Sequence, residues 1–153
     1  MYYDNPWINL SNFLFPPIEP QYVYNDRGYL ASEMWVNNIK DLHRIGGPAI
    51  TDYNDNGTIK ALHWYKNGHL HNEDGPALIE YYDNMKIKLK HWFLNGLLHC
   101  NEEPACIEYN KDGTKISEVW FFKGKIYRKD GPAYTRYINN EPNKEKWYKT
   151  DLS

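Results

Sequence analysis

Serine and cysteine are scarce in this chain, and each shortage removes a class of function. Serine occurs only as Ser11, Ser32, Ser117 and Ser153. There is no Gly-x-Ser-x-Gly nucleophile turn, no phosphate-binding glycine loop and no His-Glu-x-x-His metal motif, so hydrolase, nucleotide-dependent and zincin chemistry lose their usual signatures. Cys100 and Cys106 are the only cysteines, too few for the disulfide framework of a small secreted domain, and they read as free thiols in a reducing cytoplasm. No apolar run approaches the ~20 residues of a membrane helix, so no membrane span is expected. The opening Met1 to Trp7 has no basic stretch followed by an apolar block, so it does not read as a signal peptide. Formal net charge is -2, which leaves no strong field to draw the chain to nucleic acid or an anionic membrane. These absences point to a soluble, cytoplasmic, non-enzymatic protein with no cofactor.

Aromatic residues, in contrast, are abundant. They make up 16% of the 153 residues, so the core is expected to rest on Tyr, Trp and Phe more than on aliphatic side chains. They also recur. Gly47-Pro48-Ala49 returns as Gly75-Pro76-Ala77, Glu103-Pro104-Ala105 and Gly131-Pro132-Ala133, with the prolines 28 residues apart each time. Tyr53, Tyr81, Tyr109 and Tyr137 keep the same step, as do Trp64, Trp92 and Trp120, and Gly68, Gly96 and Gly124. A worn first copy contains Pro20, Tyr24 and Trp35, and a worn last copy ends on Trp147-Tyr148. Degenerate end copies are expected, because terminal repeats face water on one side.

Within a unit, Ala77, Ile79 and Tyr81 alternate with Leu78, Glu80 and Tyr82. Period two marks a strand, with the Ala–Tyr face buried and the variable, often charged face largely wet. Asp55-Asn56-Gly57 and Lys111-Asp112-Gly113 read as hairpin turns. A second strand follows, then Asn67-Gly68 or Asn95-Gly96, the strongest short hairpin signal, then a brief third strand at Leu70-His71 or Leu98-His99. No helical period occurs. A lone hairpin cannot bury its aromatic face, so the fold class is all-β: tandem 28-residue hairpin or meander repeats in an elongated, twisted antiparallel sheet, open or rolled partly closed. Residues 20–153 form one repeat domain of about five units. Residues 1–19, with Trp7, Phe13 and Phe15, are too apolar for a free tail and read as a cap over an otherwise exposed edge.

The run Trp64-Tyr65-Lys66-Asn67-Gly68, with Leu70-His71 and then Asp74-Gly75-Pro76-Ala77, resembles the MORN-like variant repeats. Such repeats occur in bacterial antitoxin-type proteins and in proteins of phages and large DNA viruses, and the resemblance covers roughly residues 20 to 152. It implies a β-repeat fold and roles in protein contact, scaffolding or, for MORN repeats proper, lipid association. No motif position of the family is an established catalytic residue, so none is carried over. The chain departs from the pattern at Glu102-Glu103, where Asp-Gly is usual, which leaves the turn of that copy open.

The residues that suggest chemistry divide by whether they keep the period. His43, His71 and His99 recur at one position, with Tyr127 in the last copy, and His63 and His91 at another. Together with Asp74 or Glu102 the first stripe suggests zinc, hence a metal-dependent enzyme as one alternative. A histidine packed on tryptophan recurs identically, however, and the structural reading is favoured. Lys86, Lys88 and Lys90 lie on one strand face and suggest a phosphate-tracking stripe, but the equivalents of Lys90 are Leu62 and Glu118, and a solvated face explains the lysines fully, so nucleic-acid binding is not expected. Cys100 and Cys106 suggest a local metal or redox pair, or two small buried hydrophobes. Leu94 and Phe122 stand where another copy has Lys66, and apolar groups at such a position mark contacts.

The favoured reading is a protein-binding repeat module, by resemblance a phage or viral inhibitor of a host or defence protein, with Trp7, Phe13, Phe15, Lys86, Lys88, Lys90, Leu94 and Phe122 as candidate contact residues. A virion-associated module that assembles with itself through its sheet edges is the alternative.

Overall fold

Pro-Ala leads each of the four clear units into a strand for two reasons. Proline has no amide to give a ladder, so it belongs just ahead of one. Alanine is small enough to vanish between neighbouring strands: Ala49, Ala77, Ala105 and Ala133 are fully buried. Each tryptophan of one copy donates its backbone amide to the alanine of the next, Trp35 to Ala49, Trp64 to Ala77, Trp92 to Ala105 and Trp120 to Ala133, at 2.7–2.8 Å.

The structure, a computed structural model, describes residues 19–148. Strands β1 (Gln21–Tyr24) and β2 (Leu30–Met34) form the first long hairpin, and β3 (Ile50–Tyr53) and β4 (Ile59–His63) the second. A short hairpin follows, β5 (Tyr65–Lys66) with β6 (His69–Leu70). The next copy repeats this as β7 (Leu78–Tyr81), β8 (Ile87–His91), β9 (Phe93–Leu94) and β10 (Leu97–Leu98). The copy after it supplies β11 (Cys106–Tyr109), β12 (Lys115–Val119), β13 (Phe121–Phe122) and β14 (Lys125–Ile126), and β15 (Tyr134–Ile138) and β16 (Glu141–Lys146) end the series.

The described residues contain strands and turns and no helix. Ten strands form one antiparallel sheet in the order β1-β2-β3-β4-β7-β8-β11-β12-β15-β16, and the three short hairpins stand apart as separate pairs. β1 and β16 do not pair, so the sheet is open and not a barrel. The short hairpins join to one another instead, Gly96 donating to the Leu70 carbonyl and Gly124 to Leu98, and the first joins the Val36–Leu42 bridge before it, Gly68 donating to Leu42, at 2.8–2.9 Å. Their tips have positive φ at both central residues, Asn67 and Gly68 at 52° and 78°, Asn95 and Gly96 at 50° and 79°. Both residues of a type I′ turn require that region, which is why Asn-Gly stands there.

All five long hairpins carry a bulge at one place. The register shifts just ahead of Tyr24, Tyr53, Tyr81, Tyr109 and Tyr137. The extra residue is Lys60 in the second hairpin and Lys88 in the third, since Asp52 faces Ala61 while Tyr53 faces Ile59, and Glu80 faces Leu89 while Tyr81 faces Ile87. A bulge raises local right-handed twist, so the repeat also repeats its twist. Sequence alternation alone did not reveal it, because Lys60 and Lys88 differ from Ile116, the extra residue of the next hairpin, in everything but position.

The burial pattern corrects the expectation of one dry and one wet face. Thr51, Ile107 and Thr135 on the alanine side are buried as expected. The opposite side is not simply wet: Ala61 and Ser117 are buried there too, and Ile50, His63, Leu78, His91, Cys106 and Val119 form a half-buried row across the sheet. No large side chain is fully buried among the described residues. The sheet is too thin to enclose one, so its stability rests on the summed contacts of half-covered aromatics and on its backbone ladders.

Candidate functional site

The histidine stripe has a defined task. The backbone amide of Asn67 donates to His43 Nδ1 at 3.2 Å, that of Asn95 to His71 Nδ1 at 3.1 Å, and that of Lys123 to His99 Nδ1 at 3.3 Å. Each histidine thus satisfies an amide of the next copy's short hairpin, one period on. An accepting Nδ1 places the proton of the neutral ring on Nε2, and in His71 that nitrogen lies 3.0 Å from Glu73 Oε1. His71 and Lys66 together hold the Glu73 carboxyl below the usual carboxylate range. The second histidine position is also engaged: His63 Nε2 lies 3.0 Å from Asp52 Oδ2, and burial lowers the pKa of His91. Among the described residues no three His, Cys, Asp or Glu side chains gather as a metal site.

The three lysines do not make one stripe. Lys86 lies in the turn and donates Nζ to the Asp112 carbonyl at 2.6 Å. Lys88 is the bulge residue and pairs with Glu80 at 3.0 Å. Lys90 sits in the ladder between Ile79 and Ile107. The bulge breaks the alternation that the bare sequence suggests, so the lysines cannot track one line.

Leu94 is 38% exposed and its cross-hairpin partner Leu97 51%. Phe122 is half-buried, with its ring edge-on to His99 at 5.1 Å and to Tyr127 at 6.4 Å, so it packs against its own scaffold. Cys100 and Cys106 are both unbonded. Burial pushes the Cys106 thiol up to about 12, which makes it a poor nucleophile and favours the role of a small hydrophobe. Trp7, Phe13 and Phe15 lie outside the described residues.

Between successive acidic turns and short hairpins runs a series of three open grooves, each with a repeat tryptophan in its wall. One holds Trp64 between residues 43–47 and 71–74, the next holds Trp92 between 72–76 and 99–103, and the last holds Trp120 with Phe121, Tyr127 and Arg128. The Trp92 groove is the largest of the three at about 610 Å³. Its turn at Glu102-Glu103 keeps the bend of the Glu73-Asp74-Gly75 turn despite the lost glycine. The residue after each stripe position, His43, His71, His99 or Tyr127, differs between copies. Arg44 lays its guanidinium 4.1 Å from the Trp35 ring centre, and Arg128 does the same over Trp120. Asn72 and Cys100 hold that position in the two copies between. Sequence reasoning missed these arginines, although their signal was present: Arg44 and Arg128 stand three periods apart.

Comparison with known proteins returns no match, whether to a family model, a curated protein or a solved structure. No helix of the described residues is long and apolar enough to cross a membrane.

Proposed function

We propose that the chain is a non-enzymatic, protein-binding repeat module. The observation that carries this reading is the division of labour between side chains. Residues that keep the period, such as His71 and Ala77, are spent on ladders and contacts within the sheet. Residues that break it, Leu94 above all, are left on the surface next to a broad groove. Variation on a rigid repeated frame is how solenoid-like proteins present a binding surface, and exposed apolar groups beside a groove suit a contact. The MORN-like resemblance extends the reading to a phage or viral inhibitor of a host or defence protein. In the test, the immobilised chain captures a partner in stoichiometric amount from lysate of the relevant host, and Leu94→Lys, which installs the residue of the copy containing Lys66, releases it. Recovery of no partner, or equal retention by Leu94→Lys, goes against the reading.

One observation favours a second reading, assembly of the chain with itself. The edge strand β1 carries exposed Tyr22, Val23 and Tyr24 and no charge, and no described residue pairs along its outer side; an uncharged, unpaired edge is a template for a further strand. A monomeric mass by light scattering at high concentration removes it.

A further inference from the structure

We propose that the groove over Trp92 receives an arginine side chain from a basic segment of a partner protein. The chain itself displays the ligand twice. Over Trp35 the Arg44 guanidinium stacks on the indole and its Nη1 donates to the Pro48 carbonyl at 3.2 Å. Over Trp120 Arg128 repeats this, with Nη1 3.4 Å from the Pro132 carbonyl. A planar cation that stacks and donates sideways is the particular capacity of guanidinium over ammonium. In the copy containing Trp64, Asn72 donates to the Pro76 carbonyl instead. In the Trp92 copy the residue is Cys100, and among the described residues no side chain donates to the Pro104 carbonyl. The Trp92 indole, whose counterparts at both ends of the series carry an internal arginine, has no cation stacked on it among the described residues.

The neighbouring turn changes in step. A Cβ placed on Gly131 would come within 3.0 Å of the Arg128 guanidinium, and one on Gly47 within 3.3 Å of that of Arg44. The glycine of Gly-Pro-Ala therefore makes room for the internal arginine. The one copy without an arginine or asparagine to accommodate is the one with Glu103 in place of that glycine. Its side chain starts where the guanidinium lies elsewhere, so the incoming cation sits farther out and meets a carboxylate rather than a bare backbone. Of the residues that line this groove, Glu73, Asp74, Glu102 and Glu103 are acidic and Lys90 is the only lysine or arginine. Glu73 is engaged with Lys66 and His71, which leaves the other three carboxylates without an ion pair among the described residues. Net negative charge and an aromatic wall together specify an arginine and disfavour an anion.

The inference rests on the binding-module reading and names the partner's chemistry. It is tested on the full chain by calorimetric titration with a capped Gly-Gly-Arg-Gly-Gly peptide and with the same peptide carrying citrulline, which keeps the shape and loses the charge. The arginine peptide is expected to bind at least about tenfold more tightly than the citrulline one, the scale of a stacked, charge-assisted contact. Cys100→Arg with Glu103→Gly, which restores the internal arginine and its space, is expected to abolish binding, and Glu103→Gln to weaken it about threefold. Absence of binding, equal binding of the two peptides, or unchanged affinity in the double variant overturns the proposal. The peptide comparison on the unaltered chain decides even if the double variant does not fold. If the peptides fail while Leu94-dependent capture of a partner succeeds, the groove assignment falls and the binding-module reading stands. If both fail, both fall.

Discussion

The Trp92 copy, residues 76–103, and the Trp120 copy, residues 104–131, share one backbone plan and differ in how complete they are. Both have a bulged long hairpin, a short hairpin with a positive-φ tip, and an amide bonded to the preceding copy's histidine. The Trp120 copy closes on itself: Arg128 covers the indole, Gly131 gives it room, Gly113 fills the left-handed turn position and Val119 stands in the half-buried row. In the Trp92 copy the same four positions are Cys100, Glu103, Met85 and His91. Cys100, Glu103 and Met85 depart from what the other copies carry, while His91 keeps the histidine of His63, and the departures cluster in one unit. The difference teaches that the period itself belongs to the scaffold, and that a unit which departs from it in several places has been freed for another use.

Changes at positions that keep the period give the largest expected effect, and they should cost the two copies alike. His71→Ala leaves the Asn95 amide without its acceptor inside a hairpin junction, and His99→Ala does so for Lys123. Each is expected to destabilise by about 1–3 kcal/mol, read as a lower denaturation midpoint. A large cost in one copy with none in the other breaks the equivalence. Arg128→Ala sharpens the contrast from the other side, since it opens the Trp120 groove. It is expected to cost about 1 kcal/mol, from the lost stacking and the bond to Pro132, and Cys100→Ala about nothing by the same measurement.

Much of this was legible in the sequence and some was not. The strands, the Asn-Gly tips and the all-β repeat follow from alternation and turn chemistry, which are local. The bulges were not legible, because a bulge is a relation between two strands and Lys88 looks like any alternating residue until Glu80 and Tyr81 are seen to face Leu89 and Ile87. The stripe of Lys86, Lys88 and Lys90 failed for that reason. The recurrence of the histidines marked them as repeated positions, yet their partners are backbone amides 24 residues on, which no side-chain pattern announces. The groove became visible only when Arg44 and Arg128 were seen stacked, after which Cys100 and Glu103 read as one change.

Two smaller effects probe the same copy. Met85 has φ of 61° where Gly57 and Gly113 have 79° and 96°. A side chain in that region costs about 1–2 kcal/mol at most, so Met85→Gly is expected to stabilise by about 1 kcal/mol, offset in part by the looser unfolded chain. The smallest effect is a pH dependence. Burial lowers the pKa of folded His91, with Glu108 and Glu80 opposing. Below its ordinary 6.5 the unfolded chain takes up a proton that the folded one resists, so stability is full above that pH and falls as pH drops from there to the folded value, below which the loss is complete. His91→Val, the Trp120-copy counterpart, is expected to flatten that part of the stability profile. An unchanged acid slope means that other groups carry it.

The account's central claim is that residues which keep the period build the frame and those which break it do the recognising. Indole N–H signals of Trp64, Trp92 and Trp120, followed by NMR as the arginine peptide is added, test this most directly. A shift of the Trp92 signal, with Trp64 and Trp120 unmoved, is the predicted result. Equal movement of all three, or movement of Trp120 where Arg128 already lies, would contradict it.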